Sequence, residues 1–321
     1  MLPVIDLAEL DTAVGRDRLR DVTHEVGFFY LVGHGIEPNL IARLLQVTRE
    51  FFALPDAAKD AVRMIRSPHF RGYNRLGGEL TNGQTDWREQ IDIGIDRDPV
   101  AGAEDYMRLQ GPNQWPAELP ELRSVVTEFG DAMSAVSLTL LQRWAQSLGS
   151  PADFFDAAFG HSPATLIKLI RYPARRADSP RGDQGVGAHK DSGVLTLLLV
   201  EPGSAGLQVE AADGGWIDAP PVDGAFIVNI GEMLEVATNG YLRATRHRVM
   251  TPVGAPERIS IPYFFSPALD AVIPTIQLPS ELQPKARGVE RDPANPLYNT
   301  YGENTWKSRT RAHPDVFERW Y

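Results

Sequence analysis

Residues 187–200 decide how this chain folds, and they spell GAHKDSGVLTLLLV. The second half of the stretch, residues 193–200, is almost entirely apolar and is followed by a turn-rich segment, which predicts a short buried strand. The first half places a histidine and a carboxylate two residues apart in a strand-like run. The stretch therefore joins a possible metal-binding pattern directly to a strand of the predicted core.

Short β-rich runs lie on both sides of this stretch. Including the strand above, they occupy residues 165–172, 193–200, 207–210, 225–230, 247–250 and 259–265. Segments rich in Gly, Pro, Ala and Asp separate them, for example residues 201–206 and 211–215, and such segments mark turns. Six short strands with few helices between them argue against a doubly wound parallel sheet and favour a sandwich or jelly roll.

The first half of the chain is predicted to be mostly helical. Apolar residues recur every three or four positions at 40–51 and again at 122–148, where Gly149 and Pro151 end the pattern. This spacing predicts two amphipathic helices, and an apolar stripe of this kind usually packs against a sheet. We therefore predict a mainly β protein with flanking helices, in which a jelly-roll core carries a helical N-terminal region.

Composition excludes several classes of function. The 321 residues include 32 Lys and Arg against 42 Asp and Glu, and the net charge of −10 makes nucleic acid an improbable partner. No apolar run is long enough to span a membrane, and residues 1–6 resemble no export signal, so we expect a cytoplasmic protein. The absence of cysteine excludes thiolate chemistry and leaves His, Asp and Glu as the strong metal ligands.

The histidine and carboxylate of the opening stretch suggest a metal site. His189 and Asp191 would point to the same face if both lie in a strand, because strand side chains alternate. His247 lies in another short β run and is the best candidate for a third ligand. Two histidines and one carboxylate form the facial triad of non-haem Fe(II) oxygenases. A lone His-x-Asp also occurs often by chance, so the assignment needs a second element.

Residues 258–260 provide that second element. Arg258 and Ser260 alternate along one predicted strand, eleven residues after His247. The planar guanidinium and the hydroxyl would then share a face, which suits bidentate binding of a carboxylate. Arg258 would fit equally well in a structural salt bridge.

Further segments extend the pattern over nearly the whole chain. They are residues 2–6 (LPVID), 27–36 (GFFYLVGHGI), 72–73 (GY), 86–89 (DWRE), 111–116 (GPNQWP) and 171–173 (RYP). With the His-x-Asp pair, the distal histidine and Arg-x-Ser in this order, the chain resembles the isopenicillin N synthase-like branch of the Fe(II)/2-oxoglutarate-dependent dioxygenases. The resemblance implies a double-stranded β-helix in residues 116–321, with residues 1–115 as a mixed α/β region packed on it.

The same resemblance implies the cofactors and the reaction. Fe(II) would be held by His189, Asp191 and His247, and the enzyme would use 2-oxoglutarate and O2 to hydroxylate, desaturate or cyclise a small organic substrate. Residues Arg258 and Ser260 would bind the far carboxylate of 2-oxoglutarate.

A third co-substrate contact follows from the resemblance at residues 171–173. Tyr172 would support the same carboxylate as Arg258, or else be a buried aromatic residue with a satisfied hydroxyl group. Relatives often carry asparagine two positions before this tyrosine, where this chain has Ile170.

Two alternatives and the substrate stay open from sequence alone. The chain would otherwise be an oxidase that takes all its electrons from the primary substrate, or a non-catalytic receptor on the same fold. Arg75, Arg88 and Arg171 are candidates for contact with an anionic substrate, or for ion pairs with nearby carboxylates. The segment after Pro267 is expected to cover the mouth of the active site.

Overall fold

The computed structural model describes residues 1–100, 104–160, 162–180, 182–289 and 295–321. Two β-sheets face each other, and helices cover the outer face of the larger sheet. The helices are α1 (Ala13–Glu25), α2 (Pro38–Ala53), α3 (Asp56–Ala61), α4 (Glu121–Ser147), α5 (Asp156–Phe159), α6 (Glu232–Ala237), α7 (Tyr301–Ala312) and α8 (Pro314–Trp320). Among the described residues, none of the helices combines the length and the apolar character needed to cross a bilayer.

The larger sheet has eight strands. In spatial order they are β1 (Val4–Asp6), β2 (Phe28–Val32), β12 (Phe226–Ile230), β9 (Leu195–Val200), β14 (Arg258–Phe265), β7 (Leu166–Tyr172), β6 (Glu89–Gly94) and β3 (Gly72–Asn74). Neighbours run antiparallel except β1 and β2, which are parallel. Residues 1–115 therefore supply four strands of this sheet as well as helices.

In the described part of the chain, the smaller sheet has four strands, and there is also a two-stranded hairpin. The four are β11 (Trp216–Asp218), β10 (Leu207–Glu210), β13 (His247–Met250) and β8 (Gln184–His189), and the hairpin is β4 (Leu80–Thr81) with β5 (Gln84–Thr85). All six predicted strands are present, each within two residues of its predicted bounds. The prediction of a mainly β protein with flanking helices is confirmed.

Strand alternation divides the buried side chains between two cores. The odd-numbered residues of β9 and β14 and the even-numbered residues of β12 pack outward against α1, α2 and α4. The apolar stripe of α4, from Leu122 to Trp144, belongs to this outer core, so its predicted packing on a sheet is confirmed. The opposite faces of the strands enclose a smaller core between the sheets, including Tyr30, Tyr172 and Val209.

The inner faces of the two sheets carry the chemically active side chains. Thr196, Asn229 and Ser260 are polar residues on the inner side of otherwise apolar strands, and all three are buried. Buried polar groups are costly unless they are hydrogen-bonded or bind a ligand. The space between the sheets is therefore the place to look for a site.

Candidate active site

The structure brings His189, Asp191 and His247 together at one end of the space between the sheets. His189 is the last residue of β8 and His247 the first of β13, and the two are cross-strand partners with ring centroids 4.3 Å apart. Asp191 lies two residues beyond the end of β8, so it is not in the strand assumed for it. Its carboxylate nevertheless converges with the two imidazoles. One ligand atom from each residue lies within 4.8 Å of the others.

Backbone hydrogen bonds orient both imidazoles. His189 Nδ1 lies 2.8 Å from the carbonyl oxygen of Gly187, and His247 Nδ1 lies 3.2 Å from that of Thr245. Since a carbonyl oxygen only accepts, each Nδ1 carries the hydrogen and each Nε2 keeps a free lone pair. The two Nε2 atoms lie 3.6 and 3.8 Å from Asp191 Oδ1. The three atoms that converge are therefore those able to bind a metal.

The second oxygen of Asp191 is held by the larger sheet. Asp191 Oδ2 accepts hydrogen bonds from Thr196 Oγ1 at 2.6 Å and from Asn229 Nδ2 at 2.8 Å. This leaves Oδ1 directed at the imidazoles, as outer partners of metal ligands commonly do. Sequence analysis missed both donors. The signal was a buried asparagine within the otherwise apolar run FIVNI of β12.

Electrostatics favours the metal-binding protonation states of Asp191 and His247, whereas for His189 burial lowers the pKa but the neighbouring Asp191 raises it above its usual value. Burial opposes ionisation of Asp191, but the neighbouring His247 and His189 and the Asn229 amide hold its pKa well below its usual range. Burial and the neighbouring His189 lower the pKa of His247 to about 4, despite Asp191. A carboxylate beside a neutral imidazole is the form in which these groups bind divalent metals.

Removing the Asn229 donor should weaken metal binding without removing a ligand. We expect Asn229→Ala to lower Fe(II) affinity about tenfold, because Asp191 Oδ2 loses one of its two donors. Anaerobic Fe(II) titration measures the change. Asn304→Ala is a matched control, since Asn304 is equally buried but bonds to Tyr298 and Thr300. Equal Fe(II) affinities in the two variants would contradict the role of Asn229.

Arg258 lies deeper between the sheets, on the same strand face as Ser260. Its Nη1 donates to the carbonyl oxygen of Ala205 at 2.6 Å, and its guanidinium carbon lies 4.5 Å from the ring centroid of Tyr172. Arg258 and Tyr172 are cross-strand partners in β14 and β7. Both Nε and Nη2 of Arg258 are buried without a hydrogen-bond partner in the described part of the chain. The two free N–H groups form a fork that fits a carboxylate.

A cavity of about 1030 Å³ opens beside the triad and includes His189 and Asp191 in its wall. Tyr301, Thr305 and Arg309 of α7 also line it, so the segment after Pro267 contributes to the cavity wall, and its cover of the mouth stays a prediction. A cavity of this size accommodates a small organic molecule.

The three arginines considered for substrate binding all form ion pairs. Arg75 pairs with Asp60, and Arg88 with Glu79 and Asp86. Arg171 pairs with Glu89 and Glu257, at 2.7 and 2.6 Å. Their charges are therefore compensated within the protein.

Comparison with known proteins identifies the family. Residues 2–118 match the family described as non-haem dioxygenase in morphine synthesis N-terminal, and residues 164–267 match the 2OG-Fe(II) oxygenase superfamily. The chain belongs to the isopenicillin N synthase-like Fe(II)/2-oxoglutarate oxygenases. A 2-oxoglutarate-dependent dioxygenase of Dothideomycetidae sp. (strain 11243) is 36% identical to this oxygenase, over 99% of this chain and 91% of that protein.

Two further relatives extend the comparison. A homoarginine-6-hydroxylase of Arabidopsis thaliana is 33% identical, over 89% of this oxygenase and 91% of that protein. The crystal structure of a full-length Neurospora crassa protein in complex with alpha-KG superimposes with a TM-score of 0.78 and 26% identity, covering 96% of each chain. The core of this oxygenase is accordingly a double-stranded β-helix.

Membership defines the reaction class. The protein is an oxidoreductase that uses Fe(II), 2-oxoglutarate and O2, and it couples oxidative decarboxylation of 2-oxoglutarate to oxidation of a small organic substrate. The donor set of the triad fits Fe(II), and the unpartnered fork of Arg258 fits a dicarboxylic co-substrate. The receptor and the 2-oxoglutarate-independent oxidase, which sequence analysis left open, are not the functions that these findings support.

Proposed function

We propose that Nε2 of His189, Nε2 of His247 and Oδ1 of Asp191 hold the Fe(II). The assignment rests on one observation. In each of the three side chains one polar atom is hydrogen-bonded to the protein, whereas the other lies close to the corresponding atoms of the other two side chains. Bound there, Fe(II) with 2-oxoglutarate and O2 supplies an oxidant strong enough for an unactivated C–H bond. The protein residues position the reactants and exclude water.

Arg258, Ser260 and Tyr172 are proposed to bind the distal carboxylate of 2-oxoglutarate. Two orphaned N–H groups on one buried guanidinium support the assignment, because a buried charge without an acceptor is destabilising until an anion binds. Ser260 projects from the same face of β14, and Tyr172 packs against the guanidinium. Residue 170 is a buried isoleucine, so it adds no polar contact.

The division into residues 1–115 and 116–321 stays a prediction. The first part is hydrogen-bonded into the larger sheet through β2 and β6. We propose that this first part stabilises the core. We also propose that the partner of this enzyme is a small molecule rather than nucleic acid.

For the primary substrate we propose a free amino acid with a cationic side chain, oxidised beside the cation. The Arabidopsis relative is named a homoarginine-6-hydroxylase, and in homoarginine C6 carries the guanidino group. Oxidation at C6 would place the guanidinium next to the metal. Glu232 is suited to receive it, because its backbone N–H donates to the Asp191 carbonyl oxygen at 2.8 Å and its side chain lines the cavity.

Glu232 is available for such a contact. No ion pair or side-chain hydrogen bond of Glu232 occurs in the described ranges, whereas its neighbour Glu235 is paired with Lys190. Burial raises the pKa of Glu232 to about 7, against the opposing effect of Lys190 and Lys307. A cationic substrate would compensate the charge of this partly buried carboxylate.

Turnover with L-homoarginine tests this substrate class. With Fe(II), 2-oxoglutarate, O2 and ascorbate, we expect a product one oxygen atom heavier together with an equal amount of succinate. L-homocitrulline, which replaces the guanidinium by a neutral ureido group, should bind about tenfold more weakly, the worth of one charged hydrogen bond. Glu232→Gln should remove this preference while leaving Fe(II) affinity unchanged.

Two results would contradict the assignment. Absence of both product and binding with L-homoarginine would overturn the substrate class. If Glu232→Gln keeps the preference for homoarginine over homocitrulline, the guanidinium of the substrate does not bind at Glu232. Glu118→Gln is the matched control, since Glu118 is exposed and does not line the cavity.

A further inference from the structure

A cluster of buried charges adjoins the cavity, and five of its seven side chains line the cavity wall. It consists of four cations and three carboxylates, namely Arg71, Arg88, Lys168, Arg309, Glu79, Asp86 and Asp92. Each of these residues is at most 8% exposed. Charges this deeply buried require compensation, because each has lost its hydration.

Three of the cations are compensated within the cluster. Arg88 pairs with Glu79 and Asp86, at 3.2 and 3.0 Å. Lys168 lies 2.8 Å from Glu79 Oε1 and 3.6 Å from Asp92 Oδ2. Asp92 also accepts from Arg309 and, through its other oxygen, from Gln90.

His313 contacts the cluster without adding a charge. Its Nε2 lies 3.8 Å from Glu79, and burial lowers its pKa to about 4 although Glu79 opposes the shift. Glu89, the neighbour of Arg88, points to the opposite face of β6 and pairs with Lys59 and Arg171. Within these seven side chains four cations thus face three carboxylates, which leaves one positive charge in excess. Asp96 also acts on Arg71, but it is itself paired with Arg123.

Arg71 is the cation of the cluster for which the described residues provide no ion pair. Its Nη2 donates to the carbonyl oxygen of Leu109 at 3.1 Å, and its Nε is buried with no hydrogen-bond partner among those residues. No ion pair of Arg71 occurs in the part of the chain that the structure describes. Burial is the main cause that lowers its pKa, to about 10, and the neighbouring Arg309 adds to the effect, while Asp92, Tyr301 and Asp96 oppose it.

The backbone makes room for this guanidinium. A Cβ atom at Gly94 would lie 2.4 Å from Arg71 Nη2 and 2.5 Å from its central carbon. Only glycine at position 94 permits the guanidinium to lie where it does. Arg97 lines the same cavity and likewise makes no ion pair within the described ranges.

We propose that Arg71 binds the carboxylate of the primary substrate and that this anion compensates the excess charge of the buried cluster. This inference rests on the proposed function, in which the substrate is an amino acid. It extends that proposal by assigning the two ends of the molecule. The cationic end lies at Glu232 beside the triad, and the carboxylate lies at Arg71 on the cluster, with Arg97 as a second cation.

Calorimetric titration of the Zn(II)- and 2-oxoglutarate-loaded enzyme tests the assignment. L-homoarginine should bind at least about tenfold more tightly than its decarboxylated analogue, 1-amino-5-guanidinopentane. Arg71→Gln should reduce this ratio to near one. Gly94→Ala should reduce it as well, because the added methyl group displaces the guanidinium while the charge remains. Arg43→Gln, which removes an exposed arginine paired with Glu128, should leave the ratio unchanged.

A structural role for Arg71 gives a different pattern. It predicts a lower melting temperature and an equal loss of affinity for L-homoarginine and its decarboxylated analogue. The proposal instead predicts that affinity is lost only for L-homoarginine, which carries the carboxylate. The proposal would be overturned if both Arg71→Gln and Gly94→Ala bind L-homoarginine in preference to its decarboxylated analogue as strongly as the wild type does. The 2-oxoglutarate affinity serves as an internal control and should not change in either variant.

A second measurement separates this subsite from the identity of the substrate. Crystals of the same loaded enzyme soaked in bromide should show an anomalous peak at the Arg71 guanidinium in the wild type and none in Arg71→Gln. Failure of homoarginine to bind, with bromide present at Arg71, would overturn the amino-acid substrate and support the anion subsite. Absence of bromide at Arg71 in the wild type would overturn the anion subsite itself.

Discussion

The double variant His189→Ala/His247→Ala is expected to lose stoichiometric Fe(II) binding and all turnover. Each imidazole presents a free Nε2 to the same point, and Asp191 alone cannot hold the metal. Structural Zn(II) sites with four protein ligands gain roughly 10–16 kcal/mol, or roughly 3 kcal/mol per ligand, and on that scale the loss of two ligands costs about four orders of magnitude in affinity. Anaerobic Fe(II) titration and succinate production measure the two losses.

The control for this variant is a pair of histidines outside the site. His24 and His69 bond to the backbone carbonyl oxygens of Tyr241 and Arg108, and neither belongs to the triad. His24→Ala/His69→Ala should retain one Fe(II) per chain at the affinity of the parent. Tight binding of one Fe(II) by the His189→Ala/His247→Ala variant would place the metal elsewhere.

Arg258→Ala is expected to weaken 2-oxoglutarate binding by about a hundredfold with little change in Fe(II) affinity. Two unpartnered N–H groups of Arg258 would serve the carboxylate, and one charged hydrogen bond is worth roughly 1.5–3 kcal/mol. Arg258→Lys keeps the charge but loses the planar fork, so it should restore only part of the affinity. Titration with 2-oxoglutarate in the presence of Zn(II) measures both variants.

Arg175 offers a matched control for this second prediction. It is also buried and lies over an aromatic ring, 4.7 Å from the centroid of Trp87, but its Nη2 bonds to Pro180. Arg175→Ala should lower the melting temperature without weakening 2-oxoglutarate binding. If Arg258→Ala behaves in the same way, Arg258 stabilises the fold and does not bind the co-substrate.

Local patterns were sufficient for the strands and for the identity of the triad residues. The pattern of apolar residues and the turn residues between them predicted the bounds of β7, β9, β10 and β12–β14. Such bounds could be predicted because the pattern involves only residues that are neighbours in the sequence. Asp191 was selected on the assumption that it lies in a strand, whereas β8 ends at His189. The carboxylate is held by Thr196 and Asn229 of the larger sheet, and a local pattern does not contain these contacts.

Partners distant in the sequence could not be predicted. Arg171 pairs with Glu89 and Glu257, which are 82 and 86 residues away, and only the sheet register brings them together. The same holds for Thr196 and Asn229, whose role requires knowing that β9 and β12 face Asp191. Charge balance inside the buried cluster likewise becomes visible only when all seven side chains are placed.

The position of β2 has a consequence for how the chain is synthesised. β2, at residues 28–32, is hydrogen-bonded to β12, at residues 226–230, so about 200 residues must leave the ribosome before the pair can form. At roughly 5–20 residues per second the delay is about 10–40 s. During that time an apolar strand edge is exposed to other nascent chains, a hazard for aggregation. Helix α1 precedes β2 in the chain and contacts it, so this contact can form early, while translation continues.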